Sequence, residues 1–277
     1  MASENENLYK SYKPSSVAAI AFCVIFIILD LAQACRVFRT RMWFGLTIII
    51  GGLFEIIGLA ARANSRDHLS DKGPFIIQIL LILLAPILFA ASIYMFLGRL
   101  IYASGYSNLS LIRVQWLSKI FIAGDILCFL VQGSGAGMLV NPKDQNTAKT
   151  GRNIVLGGLG LQVIIFIIFI LTAAVFHFRV VSKGLLKTVN PKLQLMLMMV
   201  VLYFCSVLIM FRNIYRLIEY KQGETGYLQS HEWPTYALDL VFMAIIMILT
   251  LVWYNTDLKN EKSSYQLSFL PGSANST

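Results

Sequence analysis

The sequence predicts an all-α membrane protein, a bundle of seven transmembrane helices with its N-terminus outside and its C-terminus in the cytoplasm. Three observations lead there. Hydrophobic residues fill 57% of the 277 positions and charged residues only 13%, against about 25% charged in ordinary soluble domains. Seven apolar stretches come close to or exceed the roughly 20 residues a helix needs to cross the hydrocarbon core. The basic residues are also unevenly distributed between alternate connections. Together these exclude a soluble enzyme, a disulfide scaffold and a nucleic-acid-binding domain. The excess of 23 Lys/Arg over 14 Asp/Glu then reads as membrane topology, not as contact with nucleic acid.

In chain order the stretches are Val17–Cys35, Met42–Ala61, Pro74–Leu97, Ile120–Val140, Ile154–Phe176, Leu193–Phe211 and Trp233–Tyr254. They divide the chain into a short polar tail over 1–16, a membrane domain over 17–255 and a Ser/Asn/Lys-rich tail over 256–277, expected to be disordered and cytoplasmic. Segments 36–41, 98–119 and 177–192 plus the C-terminal tail hold 12 Lys/Arg and two acids; the N-terminal tail and 62–73, 141–153 and 212–232 hold 11 and eight. That bias, slight in Lys/Arg alone, widens if Arg62, Arg212 and Arg216 belong to helix ends, and it sets the orientation. The sequons at Asn108 and Asn275 then fall on the cytoplasmic side and are expected to carry no sugar. Residues 1–13 lack a signal peptide's apolar core, so the first helix is expected to direct insertion. Cys23, Cys35, Cys128 and Cys205 all lie in apolar stretches without a CxxC pair and read as small buried side chains.

Polar residues inside the stretches carry the functional signal, because an acid at a helix centre costs about 2.5–3.5 kcal/mol to insert. Asp30, Glu55, Asp125 and Asp239 are such acids and are expected to face the bundle interior. In the second stretch Gly51, Glu55, Gly58 and Arg62 are spaced by four, three and four, so they share one helix face. Its glycines permit close helix approach. Glu55 and Arg62 stand two turns apart and each needs a partner elsewhere, in the bundle or on a ligand path. In the third stretch Pro86 removes a backbone bond and frees a carbonyl inside the bundle, for packing or for function. Arg99 sits where a long cation can reach the interface.

The fourth stretch places Asp125, Phe129 and Gln132 at i, i+4 and i+7 among four glycines. That stripe suits a cationic amphiphile, and equally a polar knot between helices. Beyond the sixth stretch, Arg212, Tyr215, Arg216 and Glu219 continue helical spacing, with Arg216 and Glu219 placed for a surface ion pair. Glu232, Tyr236 and Asp239 line one face of the seventh. The outer ends of helices two, six and seven thus gather Arg62, Arg212, Arg216, Glu219, Glu232 and Asp239, either as a charged vestibule or paired with one another.

Missing residues exclude several chemistries. The last stretch has no lysine for a retinal Schiff base, and three histidines split between the two sides (His68 and His231 against His177) make a poor zinc site. There is no GxxxxGK[ST] and no GxSxG. No enzyme activity, metal or cofactor is expected.

In this order the segments resemble the fungal lipid-translocating exporter family, the RTA-like proteins. The likeness rests on Glu55-x-x-Gly58-x-x-x-Arg62, Ala85-Pro86, Ala90-Ala91-x-x-Tyr94-x-x-Leu97-Gly98-Arg99 and Gly124-Asp125-x-x-x-Phe129-x-x-Gln132. It continues through Gly158-Leu159-x-x-Gln162, Arg212-x-x-Tyr215-Arg216-x-x-Glu219 and Glu232-x-x-x-Tyr236-x-x-Asp239. The resemblance implies a fungal protein of the plasma membrane or an internal one. It also implies links to release of sphingoid long-chain bases, to resistance against toxic lipids and drugs, and to porphyrin movement.

The resulting expectation is a transporter of amphipathic lipids or lipid-like toxicants, above all sphingoid bases, with sterol-like or porphyrin-like molecules as other partners besides the membrane lipids. Asp125 and Glu55 would hold the ammonium head and Phe129 accompany the tail. With no nucleotide site, movement is facilitated or coupled to an ion gradient. The alternative is a seven-helix lipid sensor or receptor signalling through cytoplasmic partners. Against it, the third stretch ends in Leu97-Gly98-Arg99 and not in an acid-arginine switch.

Overall fold

A chain this apolar must satisfy its backbone groups internally, and in lipid the helix does so within one segment. The computed structural model describes residues 16–64, 72–140, 144–185, 189, 193–222, 227–230 and 233–255. Among them are seven helices long and apolar enough to cross a membrane and no strand. They are α1 (Ser16–Thr40), α2 (Leu46–Asn64), α3 (Lys72–Ala103), α4 (Val114–Val140), α5 (Gln145–Ser182), α6 (Leu195–Gln222) and α7 (Trp233–Tyr254). The expectations for both tails, His68, His231, Glu232 and Asn275 fall on residues outside those described, tail residue Ser16 excepted.

Sequence neighbours pack together around the bundle, and α1 closes it against α7. The exception is α3, which touches α2, α4, α5 and α6. In its most apolar stretch 72% of residues are buried, against 22% in α1 and in α4, so α3 is the central helix. A helix apolar on every side can be buried on every side. The outer helices instead show large apolar side chains such as Ile28, Leu31, Leu130, Leu171 and Phe211 to the surroundings, an array suited to lipid.

Several helices run beyond the stretches expected from hydropathy. α3 continues past Arg99 to Ala103, α4 begins before Lys119 at Val114, and α5 begins at Gln145. The polar segments 98–119 and 141–153 are therefore partly helical. Charged side chains at helix ends can reach outward while the backbone keeps its hydrogen bonds. Arg99 does so, with its guanidinium 4.8 Å from the Phe44 ring centre. At 38 residues, α5 measures about 57 Å at 1.5 Å per residue, much longer than the hydrocarbon core. It ends at Gly184, whose φ of +66° is accessible to glycine at little cost. All four cysteines are free; Cys128 and Cys205 are buried and Cys23 partly so, but Cys35 is exposed and departs from the expectation.

Glycines set the closest helix approaches. A Cβ on Gly51 would lie 2.9 Å from the Phe89 ring and one on Gly58 2.8 Å from the Ile82 side chain, so α2 rests directly on α3. A Cβ on Gly135 would lie 2.7 Å from the Gly151 carbonyl oxygen, and one on Gly151 2.8 Å from that of Gly135. These glycines thus serve helix contact. Gly133 faces open space. Gly135→Ala is therefore expected to lower stability by about 1–3 kcal/mol, whereas Gly133→Ala should be neutral or stabilising by up to about 1 kcal/mol through helix propensity. Thermal unfolding of the two purified variants in detergent checks the contrast.

Candidate functional site

Among the polar contacts inside the bundle, which include Gln33 of α1 donating to the Met247 oxygen and to Thr250 of α7, two centres hold the sequence-predicted site residues. The first begins with Pro86. A proline at that position has no N–H for the carbonyl of Ile82, four residues earlier. The structure supplies a substitute from another helix, since Arg212 Nη2 on α6 donates to the Ile82 oxygen at 3.1 Å. The same guanidinium donates through Nε to Asp239 Oδ1 at 2.6 Å. Arg216, one turn on, donates through Nη2 to Asp239 Oδ2 and through Nη1 to Glu219 Oε2, the latter at 3.0 Å. Asp239 lies in a π turn, Tyr236–Leu240, within α7. Such turns recur at functional sites because they re-aim side chains relative to a regular helix.

This centre is closed. Arg212 is 1% exposed and Asp239 0%, and Arg216 and Glu219 are 13% and 8%. The Arg216–Glu219 contact is therefore not the surface pair expected from its spacing, because α7 covers it. Likewise Arg62, Arg212, Arg216, Glu219 and Asp239 do come together at one end of the bundle, but as a packed network and not as an open vestibule. Arg62 lies 5.6 Å from the Tyr236 ring centre, close enough for a cation–π contact. Glu55 borders the network within electrostatic range of Asp239, Arg212 and Arg216. It is wholly buried, and neither carboxylate oxygen has a hydrogen-bond partner. All four members of the α2 face (Gly51, Glu55, Gly58 and Arg62) point inward, as their spacing predicts.

The second centre joins α3, α4 and α5. Tyr94 donates its hydroxyl to Asp125 Oδ2 at 2.9 Å, while Asp125 Oδ1 is buried without a partner. The Tyr94 ring packs among Phe121, Phe166 and Phe169, which fixes its hydroxyl. Two turns along α4, Gln132 Nε2 donates to Gln162 Oε1 at 2.9 Å. Of the expected α4 stripe, Asp125 and Gln132 are interior, but Phe129 is only half-buried and Cys128 takes the inward position beside Asp125.

Asp125 and Glu55 have different neighbours: Tyr94 and Cys128 lie beside the first, and the arginine network borders the second. Sequence reasoning passed over two features. Tyr94 holds a carboxylate, which its place in a hydrophobic run concealed. Asn213 is 1% exposed with both amide atoms unpartnered; its place beside Arg212 on a buried helix was the available signal. On α1, Asp30 Oδ1 lies where a Cβ on Gly52 would be 2.6 Å away, so this acid is interior as expected.

A seven-helix, multi-pass integral membrane protein with a buried arginine–carboxylate network is the class these features define. The family called RTA1 like protein matches residues 48–262, and the chain belongs to it. It is 33% identical to Protein RTM1 of Saccharomyces cerevisiae over 209 residues, 74% of this chain and 65% of that protein, just under two thirds of its length. Identity is 30% to Protoporphyrin uptake protein 1 of the same yeast over 272 residues, 86% and 88% of the two chains. It is 27% to its Sphingoid long-chain base transporter RSB1 over 303 residues, 98% and 79%. No solved structure matches.

Arg212→Met removes the donor from Asp239 Oδ1 and from the Ile82 carbonyl, while Arg216 stays on Asp239 Oδ2, and is expected to destabilise by about 3 kcal/mol. Pro86→Ala restores the missing N–H, so the same arginine change should cost about 1 kcal/mol less in that background. A double-mutant cycle of detergent melting curves measures this coupling. Tyr94→Phe, which leaves both Asp125 oxygens unpartnered, is expected to cost about 1–3 kcal/mol in the same assay.

Proposed function

We propose that this protein is a translocator of amphipathic lipids or lipid-like toxicants, with cationic single-headgroup lipids of the sphingoid long-chain base type as its main substrates. The observation that carries the reading is the burial of Glu55 and Asp125, which, like Asp30, form no ion pair among the described residues. Such groups are expensive in a bilayer and mark substrate or ion pathways. Glu55 and Asp125 stand on α2 and α4, with α3 packed against both helices, and can serve as successive stations for an ammonium head. The apolar outer faces of the helices accommodate the tail. The names of two yeast relatives, a sphingoid long-chain base transporter and a protoporphyrin uptake protein, support the coarser reading of a lipid or lipid-like substrate.

In this reading the N-terminus is outside, the C-terminus is cytoplasmic and the protein works at the plasma membrane. Arg62 and Arg212 are buried within helices and Arg216 is largely so, which leaves the opposite end richer in surface base, as the positive-inside rule asks. The arginine network then closes the outer end, and its opening is the gating step. The reading includes no catalytic step and no cofactor.

Purified protein in liposomes without ATP provides the test, by following transbilayer movement of a fluorescent sphingoid base. Wild type is expected to move it, and Asp125→Asn to slow it at least about tenfold, the effect of about 1.4 kcal/mol at the barrier. Equal rates in the two proteins remove Asp125 from the path. Binding by wild type without movement overturns the translocator and favours a lipid sensor.

A further inference from the structure

Glu55 is a carboxylate at mid-helix with no hydrogen bond to either oxygen. Nine residues separate it from either end of α2, Leu46 and Asn64, which is about 14 Å of helix on each side. It is fully buried with both oxygens unpartnered. The charged groups around it come from several helices: Arg212 and Arg216 on α6, and Asp239 on α7. Asp30 of α1 lies against Gly52 one turn away, and the α3 atoms nearest the flanking glycines Gly51 and Gly58 belong to Ile82, Ala85 and Phe89. Arg62, two turns along α2, stacks on Tyr236.

The missing hydrogen bonds are what single this residue out. Arg212 and Arg216 are engaged by Asp239 and Glu219, and neither donates to Glu55. An ionised Glu55 is left without a hydrogen-bonded partner among the described residues, in a setting where an unpaired carboxylate is costly. A monovalent cationic occupant in direct contact supplies that partner. Two kinds fit a carboxylate without partners, a proton on one oxygen or an alkylammonium hydrogen-bonded to both. They cannot occupy it together.

We propose that Glu55 is an exchange site that holds either a proton or the ammonium group of the transported lipid, and so couples lipid movement to proton movement in the opposite direction. This rests on the translocator reading for the identity of its ligand. As the lipid arrives, the Glu55 O–H bond breaks and the proton passes to water on the side of arrival. The ammonium then donates N–H hydrogen bonds to the carboxylate, no covalent bond forms and the lipid keeps its charge. On release the carboxylate takes a proton from the other side. The site therefore has the same net charge before and after each exchange.

The test titrates the full-length protein in detergent with sphingosine, in weak buffer containing a pH indicator at about pH 6, where an alkylammonium is fully charged. Wild type is expected to release a proton for each lipid bound. Glu55→Gln should release none and bind at least about tenfold more weakly, while Asp30→Asn keeps the release. Infrared difference spectra of wild type should lose a protonated-carboxyl band on lipid addition, which reads the exchange even if the Gln variant folds poorly. Binding without proton release, release undiminished in Glu55→Gln, or no binding by wild type overturns the proposal. In vesicles, lipid movement without proton flux overturns the coupling and leaves translocation standing. Proton release on binding without lipid movement overturns translocation and leaves the exchange site standing.

Discussion

The guanidinium of Arg212 is the contact on which the bundle's charged end depends. It bridges a carbonyl of the central helix and a carboxylate of α7 from a position on α6, so three helices meet on one planar group. Each partner needs it. The Ile82 oxygen has lost its own donor to Pro86, and Asp239 carries a full charge where water is excluded. A lysine, with one compact charge and no rigid fork, does not offer two fixed donor directions to acceptors on different helices. Arg216 completes the arrangement by taking the second Asp239 oxygen and Glu219.

Around that tie the helices approach as closely as their glycines allow. Ile82 links the two kinds of contact, with its side chain seated at Gly58 of α2 and its carbonyl held from α6. On the other side of α3, Tyr94 reaches Asp125 from an aromatic cluster, and α4 lies on α5 through Gly135 and Gly151. The two polar centres share only α3, which gives Ile82 to one and Tyr94 to the other. An amphiphile that visits both must pass the central helix, so its passage requires rearrangement of α3 contacts and not diffusion through an open channel.

Nearly all residues of the ordered family pattern that the structure describes are interior: Glu55, Gly58, Arg62, Pro86, Tyr94, Asp125, Gln132, Gln162, Arg212, Tyr215, Tyr236 and Asp239 are all buried. This is the expected consequence of a lipid surround. Apolar outward positions tolerate many side chains, while an inward polar group needs a specific partner.

Much was legible along the chain because its signals are local. Seven apolar runs require seven helices, since only a helix satisfies its own backbone in lipid. The spacing of Gly51, Glu55, Gly58 and Arg62 requires a shared inward face, and Pro86 must free one carbonyl. Helix ends were less legible, because charged residues such as Arg99 and Lys119 can remain helical while reaching outward. What the tertiary structure alone decided is who meets whom. Hydropathy does not distinguish a helix surrounded by protein from one surrounded by lipid, so the centrality of α3 was invisible. No spacing rule pairs Ile82 with Arg212, 130 residues apart, or Tyr94 with Asp125. Nor does any give Glu55 and Asp125 different neighbours, because partners on different helices are selected by packing geometry, which the one-dimensional pattern does not carry.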